Sequence, residues 1–189
     1  MQKDIDGGTA PQEVVSRGLI PAITMVGEQF QNGQIYIPEM MIAARAMSAT
    51  LDHFKATLAG KGEAKKLGMV VIGTVQGDLH DIGKNLVTMV LKGQGFQVED
   101  LGVSVSTVKF VQAVKERKSE ILAIGALLTT TMIEMKNTIE ALKAAGLREQ
   151  VKVIVGGAPV TPAFAEQIGA DGTAYDAPGA AKLCKELLQ

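Results

Sequence analysis

The chain of 189 residues has no tryptophan, one cysteine, two histidines and no excess of either charge. Each scarcity excludes something. A single thiol, Cys184, forms no internal disulfide, which fits a reducing cytoplasm. Its place on the last helical stretch predicts a packed thiol and not a reactive one. Aromatic residues are 4% of the chain, too few to build the stacking platforms of a single-strand nucleic-acid binder. Nineteen basic side chains face 20 acidic ones, so the net charge is −1. No basic stripe marks a nucleic-acid face, and no polybasic run marks a membrane surface. No apolar run approaches the roughly 20 residues that span a bilayer. The opening Met-Gln-Lys-Asp-Ile-Asp-Gly-Gly has no signal core, so export is not expected.

What is present is a normal core-forming composition, 47% apolar and 21% charged, with 21 glycines. Two regions differ in pattern. Residues 1–59 read as helical. Pro11 suits a first helical turn, apolar spacing runs through Leu19, Ile23, Val26 and Phe30, and Gly18 and Pro21 predict a break. Asn32-Gly33 is a stop, and Pro38 opens a second long helix. Two or three helices are short of the usual four of a bundle, so this part must pack on the rest of the chain, on a second copy, or on helices upstream. Residues 60–66 are polar, glycine-punctuated and without periodicity, which predicts a linker and hinge. From 67 to 189 strands alternate with helices. Strands are expected at Gly68–Val75, Gln97–Gly102, Ile121–Leu128, Val151–Val155 and Thr173–Tyr175, with a helix after each. The fold class is therefore α/β, a five-stranded parallel sheet in flavodoxin-like (Rossmann-like) order with a small N-terminal helical cap. That order puts the switch point between the first and third strands, whose loops are Gly77–Gly83 and Thr129–Thr131.

The first of those loops holds His80, with Asp78 two residues before it and Gly83 three after. Taken singly these residues have ordinary readings: His80 as a loop-bonding histidine, Asp78 and Asp81 as capping acids for the helix from Ile82. Some chemistries are excluded. The third strand ends in Leu-Leu-Thr-Thr-Thr and lacks the aspartate of a phosphorelay receiver, and Gly73, Gly77 and Gly83 do not make a dinucleotide fingerprint. One histidine with no second histidine or cysteine nearby is too few ligands for zinc. A metal that needs one protein ligand, the rest being supplied by a macrocycle, is the natural candidate.

Asp78-x-His80-x-x-Gly83 resembles the cobalamin-binding motif of corrinoid proteins. Gly125-Ala-Leu127 at the third strand end and Gly156-Gly157 at the fourth stand where that family has Ser-x-Leu and Gly-Gly. Met25–Phe30, Gly33–Met40 and Ala43–Met47 resemble the helical cap of the family's methyl carriers, with the first cap helices missing, so that the cap reads as truncated or completed by a homodimer. The resemblance implies cobalamin as cofactor and His80 as the axial ligand to cobalt in place of the cofactor's own base. Asp78 would accept the imidazole's other N–H, and Thr131 would extend that relay, so that proton uptake by the His80–Asp78 pair favours transfer. Gly77, Asp81, Ile82, Gly83, Gly125, Leu127, Thr129, Gly156 and Gly157 would contact the corrin and its tail. Met25, Phe30, Met40 and Met41 would shield the upper face. The one departure, Gly125 for serine, removes a polar contact in the tail pocket and implies tolerance for a different lower base.

The same resemblance implies a component of a methyltransferase system and not a complete enzyme. Its partners would be a substrate:corrinoid methyltransferase using methanol, a methylamine or an O-methyl aromatic, a corrinoid:folate or corrinoid:thiol methyltransferase, and a reductive activator. The cobalamin subunit of a mutase and a cobalamin-dependent sensor are the alternatives. The helical cap speaks against the first, and the lack of an output domain or basic patch speaks against the second.

Overall fold

A computed structural model describes residues 14–58 and 67–189. The expected linker at 60–66 and the helix start at Pro11 lie outside the described residues. The described residues open with helical Val14 and a π-helical turn, Val15–Leu19, that runs directly into α1, Ile20–Gln31. Pro21 therefore does not break the helix. It sits in the first turn of α1, where its missing N–H costs nothing, and Gly18 lies in the wider turn before it. Asn32 ends α1, followed by Gly33 at φ +70°. Helix α2, Ile37–Leu58, opens with Pro38 in its first turn, and Glu39 reaches back to accept the Tyr36 N–H at 3.0 Å.

The second part alternates as expected: β1 Met69–Thr74, α3 Ile82–Gly93, β2 Gln97–Asp100, α4 Thr107–Arg117, β3 Ile121–Gly125, α5 Ile133–Ala144, β4 Lys152–Gly156, α6 Pro162–Ile168, β5 Gly172–Thr173 and α7 Ala177–Leu187. A 3-10 turn, Arg148–Gln150, precedes β4. All pairs are parallel and the order is β2-β1-β3-β4-β5. Ser106, Thr161 and Asp176 cap α4, α6 and α7 with their side chains. Asp81, by contrast, makes no capping bond at α3 and takes the Asn85 amide at 3.0 Å instead.

The strand residues sort by their period of two into two cores. Val71, Leu122 and Val153 face α4 and α5 with Phe110, Met135 and Ile139. Val70, Ile72, Ile121, Ala123 and Ile154 face α3 and α7 with Leu86, Val90, Ala181 and Cys184. The cap is packed on this second layer. Met40 of α2 is 1% exposed within that core, Gly27 of α1 lies against Pro178, and Met47 lies against Gly93. Met40 is therefore core and not a shield over a ligand, and Met25 at 59% exposure faces solvent.

The third strand ends three residues earlier than the sequence predicts. Leu127 and Leu128 continue the apolar run, but their N–H groups turn to a side chain, Asp78, instead of a strand. The second ends at Asp100, whose carboxylate accepts the Gly102 N–H, and the fifth is Gly172–Thr173. No helix among the described residues is long and apolar enough to cross a membrane.

Two outcomes follow from the packing. Met40→Ala should lower stability by about 2–5 kcal/mol, read as a shift in urea midpoint. Cys184 is fully buried, and burial pushes its thiol up to about 12. Native protein should therefore resist iodoacetamide at mildly alkaline pH and react at once in denaturant, as mass spectrometry would show.

Candidate functional site

The site is built on one buried charge. Asp78 follows β1 and is 0% exposed. Its Oδ1 accepts the His80 backbone N–H at 3.0 Å and faces the His80 Nδ1 at 2.7 Å. Its Oδ2 accepts the N–H groups of Leu127 at 2.7 Å and Leu128 at 3.2 Å, and lies 2.9 Å from the Thr131 hydroxyl. Burial alone would raise the carboxyl pKa. The Leu127 and His80 N–H groups, the imidazole and the Thr131 hydroxyl outweigh it and hold the group well below the usual carboxylate range. Asp78 is an anion, so the nitrogen beside it carries the proton of a neutral His80. The network thus assigns the tautomer that leaves Nε2 unprotonated. That ring is half exposed, at the carboxyl end of β1.

Three further contacts fix the loop. Thr74, the last residue of β1, donates its hydroxyl to the His80 carbonyl at 2.9 Å. Gly77, at φ +80°, donates to the Ser104 hydroxyl at 3.1 Å, and the Ser104 N–H returns to the Asp78 carbonyl at 2.9 Å. Ser104 itself is left-handed at φ 49°. The loops after β1, β2 and β3 are thereby one hydrogen-bonded unit.

Beside it lies a cavity of about 560 Å³ that runs from His80 between the sheet and helices α3 and α7. Its walls are mostly apolar: Ile72, Ala123 and Ile154 from the sheet, Leu86 and Val87 from α3, Ala177 and Ala180 from α7. Phe30 and Ile37 of the cap reach it as well. Of the residues expected at a site, His80, Asp81, Ile82, Gly83, Gly125, Leu127, Gly156 and Gly157 line this cavity. Asp78, Thr131 and Gly77 lie behind His80 and orient it. Thr129 is exposed and stands outside the cavity wall, a correction to its expected place, because the loop turns away once Leu127 and Leu128 are tied to Asp78. Gly157 is needed for its backbone: at φ +130° any Cβ would run into the Ala126 carbonyl. Gly83 is different, since a Cβ there would meet nothing within 4 Å.

Some members of the site were not expected from the sequence. Thr74 and Ser104 buttress the histidine loop, and the turn at Tyr175-Asp176 closes the far side of the cavity. Thr74 had a signal, the one polar residue of an apolar strand.

The model of the B12 binding domain matches residues 68–182, and a second B12 binding domain model matches residues 1–55. The chain belongs to the B12-binding corrinoid proteins. Dimethylamine corrinoid protein 2 of Methanosarcina acetivorans is 44% identical to this corrinoid protein over 178 residues, 94% of this chain and 82% of that one. Trimethylamine corrinoid protein 1 of the same organism is 44% identical over 171 residues, 90% of this chain and 79% of the relative. The methanol:cobalamin methyltransferase complex MtaBC of Methanosarcina barkeri has a chain that superposes with a TM-score of 0.86 at 31% identity, over 99% of this chain and 71% of that one. The cofactor of the corrinoid protein is cobalamin, and the residues present fit it. A free imidazole nitrogen stands at the mouth of an apolar cavity, and the wall lacks side chains at Gly83 and Gly156.

Asp78→Ala should destabilise the cofactor-free protein by at least about 2 kcal/mol, since it orphans the Leu127 and Leu128 N–H groups together. The pH dependence has a defined sign. A carboxyl depressed on folding stabilises the native state above its unfolded value near about 4 and loses that contribution as pH falls below it. Urea midpoints between neutral and acid pH should therefore fall less steeply for Asp78→Asn than for wild type.

Proposed function

We propose that this corrinoid protein carries a methyl group between two methyltransferases and is one component of that system, not a complete enzyme. One partner takes the methyl from a methylated amine, and the other passes it to a thiol or folate acceptor. The observation that carries the reading is the Asp78–His80 pair, a buried anion fixing an imidazole with Nε2 free at the cavity mouth. When bound, the cofactor supplies a cobalt centre that can hold and release a methyl group. The protein's work is to place and tune. His80 would hold the cobalt through Nε2. Asp78 holds the other nitrogen's proton and so sets the ring's orientation and basicity, and Thr131 supports Asp78 from behind. Leu127, Ile82, Asp81 and the glycines at 83, 125, 156 and 157 line the cavity and would receive the macrocycle and its tail. Phe30 and Ile37 of the cap add apolar surface to the same cavity and would help to keep water from a bound cofactor.

The methylated amine as donor is supported by the dimethylamine and trimethylamine corrinoid proteins, each at 44% identity. Equal likeness to carriers for two donors fits donor choice residing in the docked methyltransferase.

The test is to mix the protein with cobalamin, desalt it, reduce it to cobalt(II) and record an electron-spin-resonance spectrum. Retained corrinoid with hyperfine lines from one protein nitrogen is expected, and His80→Ala should lose those lines while keeping part of the corrinoid. The same spectrum in both proteins removes His80 from its role. Corrinoid lost from wild type on desalting removes the carrier reading.

A further inference from the structure

The loop that carries His80 is held at its far end by a second set of contacts, separate from Asp78. Asp81 accepts twice from Asn85 in the first turn of α3: its carbonyl takes the backbone N–H at 2.7 Å and its Oδ2 the side-chain amide at 3.0 Å. The Asn85 Oδ1 in turn accepts from the Lys84 ammonium at 2.6 Å. Lys84 also donates to the Oδ2 of Asp100, the last residue of β2. The other Asp100 oxygen accepts the Gly102 N–H at 2.9 Å, and the Gly102 carbonyl accepts the Thr74 N–H at 3.0 Å. Thr74 closes the circle, its hydroxyl donating to the His80 carbonyl at 2.9 Å. His80 and Asp81 are therefore the meeting point of a ring of hydrogen bonds that passes through α3, the end of β2 and the end of β1. Its one ionic link is Lys84 with Asp100.

That link is an unusual choice for its place. The Lys84 side chain is 5% exposed and stands in the first turn of α3. The N-terminal end of a helix disfavours a cation, and an ammonium taken out of water needs partners that replace the water. Helix formation and core packing would both be better served by another residue. Although Lys84 lies in the cavity wall, its ammonium is committed to Asp100 and Asn85. What the pair adds is position. Asp78 holds the His80 backbone N–H and one ring nitrogen, and the ring of bonds holds the His80 carbonyl and the residue after it. The imidazole is thus anchored from both sides of its own backbone.

We propose that Lys84 and Asp100 are positioning residues for His80: they hold the far end of its loop so that Nε2 stands at the cavity mouth before the cofactor enters. They act through the histidine and not on the cofactor. This rests on the corrinoid reading above and adds to it two residues on which the placement of the metal ligand depends.

The test pairs Lys84→Met with Asp100→Asn. Both charges leave together, so neither is stranded, and the asparagine oxygen still accepts the Gly102 N–H. Equilibrium dialysis against cobalamin is run with His80 present and in a His80→Ala background. With His80 present, the paired change should raise the Kd by about 10–100-fold. With His80→Ala it should change the Kd by less than about twofold, because there is no imidazole left to place. Asp100→Asn alone should show the same pattern with a smaller factor, which keeps the link testable if the double variant does not fold. Where His80→Ala binds too weakly to titrate, carbon-13 relaxation of the His80 ring in the cofactor-free protein decides: the ring should be as rigid as the backbone in wild type and mobile on the picosecond-to-nanosecond scale in the variant. An equal loss of affinity in both backgrounds, no loss in either, or a ring equally rigid in wild type and variant overturns the inference and leaves the carrier standing. Failure of the wild-type protein to bind cobalamin overturns both.

Discussion

A carboxylate with no exposed surface is the constraint on which this site depends. Taking a charge out of water costs several kcal/mol unless protein donors replace the water, and a charge left half-satisfied is worse than none. Asp78 meets that condition with donors from its own loop and from the loop after β3. Those two loops are neighbours because β1 and β3 are neighbours, so the strand order is what makes the charge tolerable. The dependence also runs the other way. The charge pulls the chain out of β3 at Gly125, opens the wall beside the cavity and fixes which imidazole nitrogen is free.

The sheet's other obligation is to bury two faces. Helices α4 and α5 cover one. On the other, α3 and α7 pack together over the sheet, and the cavity lies between them and the carboxyl ends of the strands. The cap covers the outside of this layer through Met40, Met47 and Gly27. The same helix pair that completes the core thus bounds the ligand space, and the cap's own packing on it brings Phe30 and Ile37 to the rim.

Much of this was legible in the sequence. Runs such as Met-Val-Val-Ile and Ile-Leu-Ala-Ile bounded by glycine could only be doubly covered strands, and the alternation with helices fixed a parallel sheet. Asp78 and His80 stand out by their side chains in the loop after β1, Thr131 is named through the family resemblance, and the three converge in space. The partners of Asp78 at Leu127 and Leu128 could not, because a backbone N–H has no signature in a sequence. For the same reason the end of β3 was placed too late. Thr129 was drawn toward the cavity by its neighbours, since the turn that sends it outward is set by Asp78 from 51 residues away in the chain. Met40 and Met25 look alike as letters, and only the docking of α2 on the sheet layer distinguishes core from surface.

The two outermost strands are short. β2 has four residues, with Glu99 paired to Arg117 and Asp100 paired to Lys84, and β5 has two. A long flat outer strand offers a row of open backbone groups to any passing chain. Here one border is charged and the other barely exists, so the sheet is a poor template for adding strands from another molecule. Copies of the chain can then be crowded together without knitting along their sheet edges.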